Sequence, residues 1–227
     1  MYDMYGIDRI REDTELERLL RELHRIGFIA WSEEGFTLKS KIRSHVYVCG
    51  REDLTLNAAV LKRLGLLIYD AANSRRCSDD RRTICLIGIP TAATPLAQAA
   101  AMEARSDTAF LLMREAKKLH GMHQRWTNGS PHEERFCYMT IENVVTSGRS
   151  LLENIGRLEE DGFPVRDMKH LVLVDREQGG LNKIHSLGYD VEALFSLSTI
   201  AQAFVYLRLW KQEQADAVNR EIEAHQF

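Results

Sequence analysis

No apolar run in this 227-residue chain approaches the roughly 20 residues that a helix needs to cross a bilayer. A membrane partner is therefore not expected. Met1 to Arg25 is charged throughout and lacks the apolar core of a signal peptide. Cysteine is sparse, and Cys49, Cys77, Cys85 and Cys137 lie far apart without a C-x-x-C pair. That argues against a zinc site or a disulfide framework and for reduced thiols in the cytoplasm. Charge of one sign is also lacking: the net of −3 at neutral pH argues against nucleic acid as a bulk partner. Internal repeats and low-complexity linkers are absent, so one domain is expected, with a helical N-terminal addition. With 44% hydrophobic and 28% charged residues, what remains is a soluble globular protein long enough for one full core.

The pattern of apolar residues sets the fold class. Leu16, Leu19, Leu20 and Leu23 recur at helical spacing and predict an amphipathic helix from Asp8 to Ile26. Phe28 to Trp31 and Phe36 to Leu38 flank Glu33-Glu34-Gly35 and read as a short hairpin, and Val46 to Val48 as a brief strand. A helix is expected from Asp53 to Tyr69, then a solvated connection from Asn73 to Arg82. Beyond it, strands at 83–89, 108–113, 137–141, 170–174 and 191–196 alternate with helices at 94–104, 149–160 and 181–187, and C-terminal helices follow. Such alternation predicts an α/β fold with a central parallel sheet flanked by helices on both faces. Arg114 to Arg135 interrupts it with a basic, polar stretch of little apolar periodicity.

The most informative segment is Tyr138-Met139-Thr140-Ile141-Glu142-Asn143-Val144-Val145-Thr146-Ser147-Gly148-Arg149-Ser150. A strand runs into polar residues, then Thr-Ser-Gly, then a helix. Unpaired N–H groups at a helix N-terminus carry the positive end of its dipole. Gly148 allows close backbone approach, and Thr146, Ser147 and Ser150 add hydroxyl donors, so the segment can cradle a phosphate monoester. Glu142 and Asn143 suit sugar hydroxyls, and one site would then hold both ends of a ribose 5-phosphate. The same residues also read as an ordinary strand-turn-helix with Thr-Ser-Gly as its cap.

This segment resembles the phosphoribosyl pyrophosphate signature of type I phosphoribosyltransferases, closest to the orotate phosphoribosyltransferase branch in the form found in UMP synthase. Three further segments are similar to that branch in the right order: Phe36 to Ser40, Gly88-Ile89-Pro90 with Pro95-Leu96-Ala97, and Val174 to Gly180. The likeness runs from residue 28 to residue 210. It implies a type I phosphoribosyltransferase fold, with residues 1–50 as an N-terminal helix and hood, 51–210 as the core and 211–227 as a C-terminal helix. It implies Mg²⁺-dependent transfer of phosphoribose from phosphoribosyl pyrophosphate to orotate, a step of pyrimidine and UMP biosynthesis, by a homodimer. Mg²⁺ would be held mainly by the substrate. Residues Glu142, Asn143, Val144, Val145, Thr146, Ser147, Gly148, Arg149 and Ser150 would bind the phosphoribosyl group. Lys39, Thr146 and Arg176 would bind orotate. Arg114, Lys118 and His120 lie on a stretch that resembles the family's mobile catalytic loop, and would serve the leaving pyrophosphate.

Bland readings stand beside these. Lys39 suits an exposed edge strand, Arg176 a surface ion pair with Asp175 or Glu177, and the basic stretch a solvated loop. Several residues depart from the family pattern. Asn143 replaces an acid, Glu115 stands where a lysine is expected, and Met113 where the UMP synthase form has arginine. Lys41, His45 and Cys49 replace Gly, Pro and Asp, and Ala92 occupies the place of a bacterial lysine. A protein that keeps the fold and binds ligand without efficient catalysis is the alternative expectation. The chain is also too short to include a fused decarboxylase.

Overall fold

The computed structural model describes residues 3–37, 43–48, 55–76, 81–116, 125–129 and 135–227. Its centre is a five-stranded sheet in the order β4-β3-β5-β6-β7. The strands are β3 (Thr83–Gly88), β4 (Thr108–Leu111), β5 (Phe136–Val145), β6 (Lys169–Asp175) and β7 (Asp190–Ser196), after β1 (Ile29–Thr37) and β2 (Arg43–Val48) of the N-terminal hairpin. Every neighbouring pair in this sheet is parallel, as the alternating pattern predicts. Strands buried on both faces read as continuous apolar runs, and Ile84 to Ile87 and Leu171 to Val174 do so.

Helices cover both faces. On one side lie α1 (Ile7–Glu12), α2 (Thr14–Arg25), α3 (Ala58–Arg75), α4 (Thr94–Met102), α7 (Leu197–Tyr206) and α8 (Gln212–Ala224), which contribute to one apolar core. On the other, α5 (Arg149–Glu160) and α6 (Gly180–Ser186) close a second core with Trp126 and Phe163. Burial pushes the Cys85 thiol up to about 12, which leaves it protonated and inert. Among the described residues no helix is long and apolar enough to cross a membrane.

Four local expectations need correction. The helix expected from Asp8 to Ile26 is two helices. Asp13 breaks it by accepting the N–H groups of Glu15 (3.0 Å) and Leu16 (3.3 Å) as the N-cap of α2. The expected hairpin partner also changes. β1 (Ile29–Thr37) runs through Glu33-Glu34-Gly35 with an irregularity between Trp31 and Phe36, and pairs with β2 (Arg43–Val48). Next, α3 begins at Ala58, where Asn57 caps it, and continues to Arg75 through what reads as a polar connection. Finally, β5 does not stop at Ile141. It reaches Val145, because Glu142, Val144 and Val145 find partners in Val172, Val174 and Asp175 of β6, so ladder pairing overrides the polar side chains.

The topology predicts where a ligand binds. From β3 the chain crosses to the edge strand β4 and returns on the other side of β3 as β5. In an open parallel sheet the crevice outside the strand C-termini at such a reversal is the favoured ligand position. The turns after β3 and β5 meet there.

Candidate functional site

The turn after β5 is built around Gly148, which adopts φ 74° and stands as the N-cap of α5 without any side-chain capping bond. A Cβ there would lie 2.9 Å from the carbonyl oxygen of Gly180, so both conformation and space demand glycine. Thr-Ser-Gly is thus not a hydroxyl cap: the N-cap of the twelve-residue helix is Gly148, which offers the first N–H groups no side-chain acceptor. Main-chain bonds fix the turn: Gly180 N–H donates to Thr146 at 3.0 Å, and Arg176 N–H to Val145 at 2.9 Å. Ser150 and Arg149 are exposed at the start of the helix.

Glu142 stands beside this helix start. It is buried, and its carboxylate accepts Ser150 Oγ at 3.3 Å and the Asn143 N–H at 3.1 Å. Asn143, the next residue of β5, is half-buried. Val144 and Val145 complete the strand, Val145 buried and Val144 half-buried.

The turn after β3 holds Ile89 to Ala93. Gly88 starts it where a Cβ would meet the Ala93 carbonyl oxygen at 2.3 Å, and Ile89 N–H ties it to β5 through the Ile141 carbonyl at 2.8 Å. Thr91 Oγ1 donates to Glu115 Oε2 at 3.5 Å, so the carboxylate at this departing position lies across the turn. The neighbouring Met113 is buried against the second core, an apolar fate that arginine could not share. Arg114 N–H donates to the Arg125 carbonyl at 2.8 Å, and Met113 pairs with Trp126 in an antiparallel bridge. Met113 and Arg114 are therefore joined to Arg125 and Trp126. Arg125 is anchored by Glu160 at 2.9 Å and Asp161 at 3.1 Å.

Arg176 is not the surface ion pair that its neighbours suggest. It is buried beneath the N-terminal hairpin, where one guanidinium nitrogen donates to Ser44 Oγ at 3.2 Å and Nε has no hydrogen-bond partner. Burial pulls its pKa down while the nearby Glu221 opposes the shift. Glu221, on α8, accepts Ser44 Oγ at 2.6 Å and the His45 N–H at 2.8 Å. His45 stacks on Trp31 with ring centroids 5.3 Å apart, and its Nδ1 lies 2.9 Å from the Ser32 carbonyl. Sequence reasoning missed Glu221 because its partners lie 176 and 177 positions away, where no local pattern reaches. Lys39, Lys41, Cys49, Lys118 and His120 fall outside the described residues.

A cavity of 180 Å³ lies elsewhere, lined by Asp3, Asp175, Glu177, Asn182 and Ser196 among others. Its acids are wrong for a phosphate, and it sits at the ends of β6 and β7 rather than at the strand reversal. Among the described residues no group of three or more His, Cys, Asp or Glu could hold a metal ion.

No family model matches the chain. The UMP synthase of Bos taurus is 30% identical over 192 residues, which cover 85% of this chain and 38% of that protein. An orotate phosphoribosyltransferase of Thermosynechococcus vestitus is 28% identical over 188 residues, 82% of this chain and 90% of that one. The solved structure of Leishmania donovani UMP synthase superposes with a TM-score of 0.72 at 21% identity, covering 92% of this chain and 42% of that one. The chain thus spans well under half of each UMP synthase and most of the single-function relative.

Proposed function

The chain belongs to the type I phosphoribosyltransferase family, and from that premise we propose that it acts as an orotate phosphoribosyltransferase. Phosphoribose passes from phosphoribosyl pyrophosphate to orotate, giving orotidine 5′-monophosphate and pyrophosphate within pyrimidine synthesis. The observation that carries the reading is the uncapped start of α5 at Gly148, beside the carboxylate of Glu142 and at the reversal of strand order.

In this reaction the orotate ring nitrogen bonds to C1 of the ribose while the bond from C1 to the pyrophosphate oxygen breaks. The transition state resembles an oxocarbenium ion, as in glycoside transfer. The N–H groups of the first turn of α5, that of Ser150 among them, bind the 5′-phosphate with the hydroxyls of Thr146 and Ser147, and its charge suits the helix dipole. Glu142 is fixed by Ser150 and by the Asn143 N–H before substrate arrives. Its negative charge therefore favours the developing sugar cation without reorganisation. The Asn143 amide bonds a ribose hydroxyl but adds no field. The backbone of Ile89 to Ala93 receives the pyrophosphate, and Arg114, Lys118 and His120 neutralise it as it departs. Lys39, Thr146 and Arg176 hold orotate. Arg176 meets a planar acceptor with a fork that lysine lacks, and its unpartnered Nε supports that role.

The described residues do not fit a protein-built metal cage, and Glu142 is engaged by protein donors. Mg²⁺ in this proposal is held mainly by the substrate and would supply a hard cation that neutralises leaving charge when bound. Because the resembling loop serves a neighbouring subunit in this family, a homodimer is part of the proposal.

The test is a steady-state assay with phosphoribosyl pyrophosphate, Mg²⁺ and orotate. Turnover dependent on both substrates, at about 1–10³ per second, is expected, and Asn143→Asp should raise it. Absence of turnover in both proteins under saturating substrates would overturn the proposal.

A further inference from the structure

α5 carries a line of polar side chains that core packing does not require. Ser150, Asn154 and Arg157 follow one another at spacings of four and three, so they share one face of the helix. Asn154 is only 5% exposed. Asparagine is a weak helix former, and a buried amide is costly unless it is hydrogen-bonded. Leucine would fill the place with better helix propensity. The amide instead uses both ends: Nδ2 donates to the Ser150 carbonyl at 2.9 Å, and Oδ1 accepts an Arg157 guanidinium nitrogen at 3.2 Å.

The same Arg157 nitrogen donates to the Glu115 carbonyl at 3.3 Å. The Glu115 side chain meets Thr91 in the turn after β3, and Ser150 Oγ meets Glu142 at the end of β5. A continuous polar line thus runs Glu142, Ser150, Asn154, Arg157, Glu115, Thr91. It joins the helix start to the turn after β3 along one face of α5, over about 10 Å at 1.5 Å per residue.

We propose that Asn154 and Arg157 are positioning residues that set the segment at Glu115, and through it the turn at Thr91, relative to the phosphate cradle. The inference rests on the phosphoribosyl reading of the site. Neither residue touches ligand. Asn154 is buried and neutral, so its removal changes diphosphate binding only by letting Arg157 and Glu115 shift. The turn before the helix keeps the main-chain bonds that Gly180 N–H donates to Thr146 and Arg176 N–H to Val145, so the cradle holds its shape.

Calorimetric titration of the full chain tests this, with ribose 5-phosphate alone and then with inorganic diphosphate and Mg²⁺ in its presence. Asn154→Leu is expected to weaken diphosphate by about tenfold while ribose 5-phosphate stays within about twofold and the melting temperature does not fall. Arg157→Ala, at a half-buried position that leaves the core intact, should show the same selective loss. The double variant should lose no more than either single one, because the two act in series. Unchanged diphosphate affinity, additive losses, or equal losses for both ligands would each overturn the inference while leaving the proposed function standing. A wild type that binds ribose 5-phosphate but no diphosphate would overturn the inference together with the pyrophosphate site on which it depends. Failure of the wild type to bind ribose 5-phosphate would remove the proposed function itself, and this inference with it.

Discussion

The turns after β5 and β6 leave adjacent strands side by side, with Val145 paired to Asp175, and each leads into a helix. They are also bonded to one another, through Arg176 to Val145 and Gly180 to Thr146. Their chemistry is nonetheless opposite. After β5, Gly148 leaves the helix start without a side-chain acceptor. After β6, the acids are engaged within the protein. Asp175 accepts the Glu177 N–H at 3.0 Å, and Glu177 accepts Ser198 N–H at 2.7 Å and its hydroxyl at 2.9 Å. Asp3 accepts the Thr199 hydroxyl at 2.7 Å. One turn leaves the N-cap of its helix without a side-chain bond, and the other joins the N-terminal segment, β7 and α7 into the core. On the proposed function, equivalent positions in a repeated βα pattern divide between ligand binding and stability according to which polar groups the fold leaves without an internal partner.

Substitutions on the two sides should separate these roles. The largest effect is expected at Gly148→Val. A β-branched side chain at a left-handed φ, with its Cβ against a carbonyl oxygen, should weaken ribose 5-phosphate binding on the order of a thousandfold, or ~4 kcal/mol. Calorimetry reads this directly. Asp175→Asn, one strand away, should leave that binding within about twofold; a comparable loss there would erase the distinction between the turns.

The second effect concerns pH. Asp175 is raised to about 6, chiefly by burial and further by the charges of Glu177 and Asp3, against the Glu177 N–H bond that lowers it. Its contribution to stability is complete below the unfolded value of 3.8 and is lost as pH rises through about 6. His170 runs the other way. Burial lowers it to about 4, against opposing effects of Val165 and Asp190. Its neutral form favours the fold above the ordinary value of 6.5, and that stability is lost as pH falls toward about 4. The two shifts oppose one another across nearly the same window, each worth about 3 kcal/mol. Denaturation from pH 7 to pH 4 should therefore show Asp175→Asn losing about 3 kcal/mol more than the wild type, and His170→Gln about 3 kcal/mol less. Parallel curves for all three proteins would show that neither group is shifted.

The smallest effect is expected at Ser44→Ala. It removes the hydroxyl shared by Arg176 and Glu221 and should cost about 1–2 kcal/mol in denaturant unfolding. Ribose 5-phosphate affinity should hold, because Ser44 belongs to the hairpin and not to the cradle. A change in that affinity would mean that the hairpin and the cradle act as one unit.

Much of this architecture is legible in the residue pattern. The strands at 83–88, 169–175 and 190–196 announce themselves as apolar runs, and α5 occupies the predicted span from Arg149 to Glu160. Errors fall where a local signal competes with a distant partner. Glu142 and Asn143 look like a strand end, but β6 extends the ladder past them. Residues 36–38 look like the return of a hairpin whose return is Arg43–Val48. For Arg176 the acids beside it leave a surface ion pair open as the bland alternative, and its burial against Ser44, which Glu221 also holds, depends on residues far away in sequence.

By itself, then, the sequence determined the alternating strands and helices, the glycine at position 148 and the acid before it. Each of these follows from periodicity, left-handed backbone geometry or side-chain chemistry acting within a few residues. Tertiary structure alone decided which donors stay available at the start of α5, that Arg176 is buried beneath the hairpin, and that Asn154 and Arg157 connect two turns. Hydrogen bonds between segments far apart in the chain exist only after the sheet has ordered its strands, and no local pattern encodes them.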